Sequence, residues 1–187
     1  GDWYIYNAKE FKYFADFVNG DITNDEITID ENTTVYLMAD LDLGARPENG
    51  EWNTDANKAR AWTPIGKYDE SSKTYKTFTG TFEGNNHVIR GAYVSVEGGC
   101  AGIFGNSHTI QNLTVKDSYI FGNDMGVGGI VGALRSSEIV NCHNINTTVV
   151  GNEHAIGGII GQYQGAETSL ISNCTNSGVV TSGGLGT

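Results

Sequence analysis

The chain is short of positive charge and has no long apolar run, and each shortage excludes a class of protein. It carries 11 lysine and arginine residues against 22 aspartate and glutamate residues, so its net charge at pH 7 is −11. This charge argues against binding to the phosphate backbone of nucleic acids and to anionic membrane surfaces. Because no stretch of about 18 consecutive apolar residues occurs, we also expect no insertion into a membrane.

Cysteine and the familiar catalytic motifs are also scarce. The three cysteines are an odd number and include no Cys-x-x-Cys pair, so they indicate neither a disulfide framework nor a structural zinc site. The sequence contains no His-Glu-x-x-His, Gly-x-Ser-x-Gly or Walker-type motif. We therefore expect no catalytic residue, and no cofactor apart from the calcium ion considered below.

Glycine is abundant, whereas proline is rare. The chain has 26 glycines and 2 prolines, and aromatic residues make up 10% of it. Disordered chains are poor in aromatic residues, so this chain should fold. Many glycines without dominant helix formers favour a single turn-rich, all-β domain over residues 1–187.

Three similar segments repeat along the C-terminal half of the chain. Each contains three short apolar runs separated by glycine, asparagine and serine. The first runs lie at 102–105, 129–132 and 158–161, the second at 110–113, 139–142 and 171–174, and the third at 119–122, 148–151 and 178–181. A unit of this length cannot bury an apolar face alone, whereas stacked units share a continuous core.

This repeat predicts a right-handed parallel β-helix of about five coils, with strands about 4.8 Å apart along its axis. A β-propeller is the competing architecture, but its blades need about four strands in roughly 40 residues. Matching residues 84–90 with 105–111 adds a shorter unit. In the resulting stack, Ile110 and its equivalents Ile139 and Ile171 form an inward ladder above Ile89.

Two further ladders follow from the same alignment. Asn112 and its equivalents Asn141 and Asn173 are predicted to stack inward at a corner, where their amides satisfy one another. Cys142 and Cys174 occupy equivalent positions in successive coils. Parallel side-chain directions disfavour a disulfide there, so we expect stacked free thiols that pack as small hydrophobic groups.

The N-terminal segment predicts an amphipathic helix over residues 8–18. Apolar side chains follow Phe11 at helical spacing, Asn7 can cap the helix, and Gly20 can end it. We expect residues 1–30 to form a cap that covers the open end of the first coil, which would otherwise expose apolar side chains and unpaired strand edges.

The repeat blocks resemble a known family. Gly-Gly-Ile-Val-Gly (128–132) and Ile-Val-Asn-Cys-His-Asn (139–144) look like the GLUG-motif repeats of bacterial surface proteins. Residues 39–44, 62–66 and 78–89 resemble the segment that often precedes such repeats. The resemblance implies a right-handed β-helix and a setting in adhesin-like proteins or beside the peptidase domains of some immunoglobulin A proteases. It carries no shared catalytic residue.

The resemblance also bears on location and extent. It implies a secreted or cell-surface protein. The sequence stops in a glycine-rich stretch where another unit would begin. We therefore expect the stacked repeats of residues 77–187 to be truncated at the C-terminus and to pack against further repeats of the full-length chain.

Residues 44–76 form the segment with the most functional character. It is long, polar and charged, which is typical of an inserted binding loop on a rigid scaffold. Trp52, Tyr68 and Tyr75 are its candidate ligand-binding side chains, because aromatic rings pack well on the C–H face of sugars. The alternative is a loop that anchors itself with its own aromatic residues.

Two pairs of side chains are candidate metal ligands. Asp40 and Asp42 point the same way along the alternating run 35–43, where two carboxylates could hold Ca²⁺. They could equally accept hydrogen bonds from loop amides or face solvent. His87 and His108 align one coil apart, as either a paired imidazole site or two exposed turn histidines.

These features predict a non-catalytic extracellular scaffold or adhesin-like module. Its partner would be a host glycan or surface protein, contacted through residues 44–76. The alternative is a fragment of a polysaccharide lyase or glycoside hydrolase that uses Asp40, Asp42 and Arg46.

Overall fold

The computed structural model describes residues 1–135, 138–165 and 169–183. Its strands stack in parallel sheets along one axis. Sheet A has a main path of six strands, which corresponds to about six turns of a β-solenoid. In spatial order these strands are Trp3–Ile5, Thr34–Leu37, Phe78–Glu83, Phe104–Gln111, Val131–Leu134 and Ile160–Tyr163. Glu138–Val140 pairs with both Phe104–Gln111 and Leu170–Ser172, which brings the sheet to 8 strands.

Two further parallel sheets, of 5 and 4 strands, form the other sides of the solenoid. Sheet B contains Leu41–Asp42, Val88–Arg90, Thr114–Lys116, His143–Ile145 and Thr175–Asn176. Sheet C contains Tyr93–Val96, Tyr119–Gly122, Thr148–Gly151 and Val179–Ser182. A short parallel pair joins Val127–Gly128 to Ile156–Gly157, and an antiparallel ribbon joins Tyr68–Asp69 to Thr74–Tyr75. The predicted parallel β-helix is confirmed, with one more turn than the repeat indicated.

Helix α1 spans Ala8–Val18 and begins at Asn7, whose Oδ1 accepts a hydrogen bond from the Glu10 amide at 3.0 Å. Phe11 and Phe14 are fully buried on its inner face. Phe14 packs edge-on against Phe78 of sheet A, with ring centroids 5.4 Å apart. The helix therefore joins the solenoid core.

Two short helical turns occur further along the chain, helix α2 at Thr54–Asn57 and a 3₁₀ turn at Lys58–Arg60. Among the described residues, no helix is long and apolar enough to cross a membrane.

The predicted ladder of isoleucines forms at three positions, where Ile110 and Ile139 are buried and Ile171 is exposed, and the prediction is wrong at Ile89. Ile139 pairs with Ile110 on one side and with Ile171 on the other. The residue on the other side of Ile110 is Phe82, whereas Ile89 belongs to sheet B. The sequence match failed because 84–86 is the corner between sheets A and B, which is equivalent to the corner at Asn112. His87 and His108 therefore lie on different sides of the solenoid and do not stack.

The asparagine ladder forms, but at a partly exposed corner and not inside. Asn141 Nδ2 donates to Asn112 Oδ1, and Asn173 Nδ2 donates to Asn141 Oδ1, both at 2.8 Å. All three residues have φ between 49° and 54°, a left-handed conformation that asparagine tolerates better than most residues. The Glu83 carboxylate forms the lower end of the ladder, because it accepts a hydrogen bond from Asn112 Nδ2 at 3.0 Å.

Removal of this terminal carboxylate is expected to destabilise the fold. Glu83 also accepts hydrogen bonds from the Asn85 amide at 2.6 Å and from Gln111 Nε2 at 2.9 Å. Glu83→Ala should lower the free energy of unfolding by about 1.5–3 kcal/mol, because charge-assisted hydrogen bonds are lost together. Urea denaturation measures this change, with the exposed Glu26→Ala as control. Equal stability of the two variants would contradict the role of Glu83.

The two cysteines also stack as predicted. His143 pairs with Thr175 in sheet B, which places Cys142 and Cys174 one above the other just before these strands. Both are free thiols, Cys142 buried and Cys174 half-buried. The adjacent Cys174 thiol, together with burial, raises the pKa of the Cys142 thiol.

Candidate functional site

The first part of the 44–76 segment is held against the solenoid by hydrogen bonds. Ala45 N donates to Gly91 O at 2.8 Å, and Trp62 N donates to Tyr93 O at 2.7 Å. The buried Asn57 side chain bridges the loop, because it accepts from the Arg46 amide and donates to the Arg46 carbonyl, both at 3.0 Å. The segment is therefore an ordered loop, and its side chains are fixed relative to the sheets.

Trp52 lies half-buried on an aromatic ladder of sheet C. Tyr93 and Tyr119 occupy the same position in successive coils, with their rings stacked at 5.3 Å and 12°. The Trp52 ring centroid is 5.7 Å from that of Tyr119 and 6.5 Å from that of Tyr93. The indole thus rests on a preformed aromatic support.

A cavity of about 430 Å³ opens beside this indole. Its polar and aromatic lining comes from Trp52, Arg46, Arg90, Asp117, Asn146 and Thr148. Three successive coils contribute to it, because Arg90 ends one strand of sheet B, and Asp117 and Asn146 directly follow the next two strands. Asn146 Nδ2 donates to Asp117 Oδ1 at 2.6 Å. An aromatic face with a few fixed polar groups is the usual composition of a small-molecule site.

Asp42 fixes the two arginines of this cavity. Its carboxylate accepts hydrogen bonds from the Gly44 amide at 2.9 Å and from a guanidinium nitrogen of Arg46. Arg90 Nη2 lies 3.1 Å from the same carboxylate. The hydrogen bond from Arg46 holds the pKa of the exposed Asp42 carboxyl below its usual value. Asp42 therefore stays ionised at neutral pH and orients both guanidinium groups.

Asp40 and Asp42 do not share one straight strand. The alternating run bends at the A–B corner, so Asp42 lies in sheet B and Asp40 just before it. Asp40 Oδ1 accepts from the Val88 amide at 2.9 Å and contacts His87 Nδ1 at 3.0 Å. The Val88 hydrogen bond and then the His87 contact lower the pKa of Asp40. A calcium ion on these carboxylates stays a prediction, and it would compete with the donors that already contact both.

Tyr68 and Tyr75 lie apart from Trp52, in the antiparallel ribbon. Their ring centroids are 5.1 Å apart, and Tyr75 Oη is 3.2 Å from Cys100 Sγ. Burial raises the pKa of Tyr75. Tyr68 lines a separate cavity of about 370 Å³. The structure therefore divides the three predicted aromatic residues between two places, and their ligand role stays a prediction.

A larger groove of about 620 Å³ lies between helix α1 and residues 59–62. Its aromatic lining includes Trp62, but the face of that indole stacks on Phe11 at 4.6 Å and 6°. The Trp62 ring face is thus used by the fold itself. The Trp52 cavity is the better candidate because polar groups converge on it from several coils.

Sequence reasoning missed Arg90, Asp117 and Asn146 as parts of this cavity. A signal existed, because Asp117 and Asn146 are separated by the same 29 residues as Asn112 and Asn141, and the structure gives both a left-handed φ, of 47° and 49°. Both residues are far from Trp52 along the chain, so the sequence does not show that they line the same cavity.

Comparison with known proteins agrees with the geometry. Residues 152–181 match the GLUG motif. Halomucin from Haloquadratum walsbyi (strain DSM 16790 / HBSQ001) is 34% identical over 113 residues, which cover 56% of this chain and 1% of halomucin. A crystal structure of a Bacteroides ovatus protein, provisionally named an immunoglobulin A1 protease, aligns with a TM-score of 0.55 and 18% identity. That alignment covers 97% of this chain and 58% of the other.

These matches locate the chain among repeat-built β-helices. The chain spans about 1% of halomucin and 58% of the Bacteroides chain, so each relative extends well beyond it. The structural likeness concerns the fold alone. The predicted resemblance to GLUG-motif repeats is confirmed: this chain is a parallel β-helix module that carries a GLUG motif at residues 152–181.

Proposed function

We propose that this chain is a non-catalytic module of a larger bacterial surface protein, located outside the cell, that contacts a glycan through the Trp52 cavity. The observation that carries the proposal is the convergence of Trp52 with Arg46, Arg90 and Asp117 on one cavity. The acidic composition and the solenoid fold agree with an extended extracellular scaffold.

The chemistry of this cavity suits a sugar. A pyranose ring presents C–H groups on one face and hydroxyl groups around its edge. The indole of Trp52 can pack on the C–H face, while guanidinium donors and the oxygens of Asp117 and Asn146 can bond the hydroxyl groups. The hydrogen bonds of Asp42 and Asn146 hold these groups in place before a ligand arrives, which lowers the entropic cost of binding.

Trp52→Ala is expected to weaken glycan binding by about 30-fold or more, because a central aromatic contact contributes about 2 kcal/mol. The full chain is first screened on a broad glycan array and against host surface proteins. The affinity of each variant for the best ligand is then measured by calorimetry. Tyr68→Ala is the matched control, since Tyr68 lines the other cavity. Circular dichroism confirms that both variants fold.

Each outcome of this experiment has a distinct meaning. Loss of binding in Tyr68→Ala alone would move the contact to the ribbon and contradict the Trp52 cavity. A chain that binds neither glycans nor host proteins would leave only a spacer role. Release of shortened products from uronate polymers would contradict the non-catalytic proposal and favour the lyase or hydrolase alternative.

A further inference from the structure

A second group of side chains lies at the corner that follows sheet C. Sheet C pairs Gly122 with Gly151, and the next residues of the two coils are therefore stacked in the same register. Asn152 Nδ2 donates to Asn123 Oδ1 at 2.6 Å, and Asn123 Nδ2 donates to Glu97 at 3.1 Å. This ladder holds the two loops one above the other immediately before the residues of interest.

This register places two carboxylates one above the other in successive coils. Asp124 follows Asn123, and Glu153 follows Asn152 in the coil above. Two carboxylates in this arrangement repel each other unless a cation lies between them. None of the ion pairs found among the described residues involves Asp124 or Glu153. The Asp124 carboxylate accepts a hydrogen bond from the Gly99 amide at 3.4 Å, but among the described residues neither carboxylate has a lysine or arginine partner.

An imidazole completes the group. One ligand atom from each of Asp124, Glu153 and His154 can be chosen so that all three lie within 4.8 Å of one another. Asp124 is half-buried, and the other two side chains are exposed. Ligands of a tetrahedral zinc ion are about 3.3 Å apart, given metal–ligand distances of about 2.0–2.1 Å. The ligand atoms would therefore approach one another by up to about 1.5 Å on binding, through rotation of the exposed Glu153 and His154 side chains.

We propose that Asp124, Glu153 and His154 bind one divalent transition-metal ion between two successive coils, and that zinc is the best fit. Carboxylate ligands alone would favour calcium or magnesium, whereas an imidazole beside them favours zinc and its neighbours in the first transition series. Three protein ligands leave a fourth position for water. Because the ligands come from two coils, the ion cross-links the stack at this corner.

Calorimetric titration of the full chain with zinc chloride tests the proposal. The wild type is expected to bind one zinc ion, and His154→Ala and Glu153→Gln should each weaken binding by about 10-fold or more. The melting temperature should rise by about 5–10 °C at a zinc concentration 100-fold above the dissociation constant, because the ion binds only the stacked coils. His87→Ala is the control for a histidine elsewhere, and it should bind zinc as the wild type does.

The half-exposed Cys174 is the competing zinc ligand, and Co²⁺ distinguishes the two. A cobalt complex at the proposed site shows no thiolate-to-metal charge-transfer band, and Cys174→Ser leaves its affinity unchanged. A thiolate band, or equal zinc affinity in wild type and His154→Ala, would overturn the proposal. So would calcium binding as tight as zinc binding and independent of His154. Trp52→Ala should not affect zinc binding, so this proposal and the glycan proposal can fail separately.

Discussion

Phe14→Ala is expected to lower the free energy of unfolding by about 3–5 kcal/mol, which is the usual cost of a large aromatic residue lost from a core. The Phe14 side chain is fully buried at the junction of helix α1 and sheet A. Its ring packs on Phe78 at 5.4 Å and on Trp3 at 5.6 Å. Truncation to alanine leaves a cavity that a helix seated on a stack of strands cannot collapse to fill.

Tyr13→Ala is the matched control, because Tyr13 is the neighbouring aromatic residue on the outer face of the same helix. Its side chain is 46% exposed, so its removal should cost about 1 kcal/mol or less. Urea denaturation followed by circular dichroism measures both variants. If Phe14→Ala were no less stable than Tyr13→Ala, helix α1 would not be part of the core.

Gly128→Ala is expected to destabilise the protein by about 3 kcal/mol or more, through overpacking and not through a cavity. An added methyl group would overlap the Val131 carbonyl oxygen. It would also lie 2.6 Å from Gly161 N and 2.8 Å from Ile159 O. All three neighbours are backbone atoms within the stack, so no side-chain rotation can relieve the contact.

The same substitution at Gly98 provides the control. A methyl group there meets Glu70 Oε1 at 2.9 Å, and this atom is the end of an exposed, flexible side chain. Gly98→Ala should therefore change the free energy of unfolding by about 0.5 kcal/mol or less. Thermal denaturation of the two variants gives the comparison. Similar melting temperatures would mean that the coils can separate at the Gly-Gly-Ile block without loss of stability.

The second glycine of each block also has a structural reason that sequence reasoning did not find. A methyl group on Gly129 or Gly158 would overlap the side chain of Asn144 or Asn176, respectively. These two asparagines form a second ladder, in which Asn144 Nδ2 donates to Asn176 Oδ1 at 3.0 Å. Asn144 is fully buried. The second glycine of each block therefore leaves room for an asparagine side chain of sheet B, in addition to allowing a turn.

The errors of sequence reasoning share one cause. The alternation of residues 35–43 continues through the A–B corner, so a run that reads as one strand is two short strands on different sheets. Similarly, Gly-Asn-Asn-His matches Gly-Asn-Ser-His by sequence, yet the first is a corner and the second lies within a strand. A period of two residues does not show where a coil bends, because inward and outward residues alternate on both sides of the bend.

The sequence by itself determined helix α1 with its Asn7 cap, the asparagine corners and the parallel β-helix. The helix and the corners depend on hydrogen bonds and backbone preferences within a few residues, whereas the β-helix follows from the repeat. The repeat alignment also predicted the register between the repeated coils. Only the tertiary structure decided where each coil bends and where residues 44–76, which do not repeat, pack on the sheets. That packing groups Trp52 with Arg90 and Asn146. The physical reason is that the neighbours of a non-repeated loop are set by how whole turns pack, which no short segment specifies.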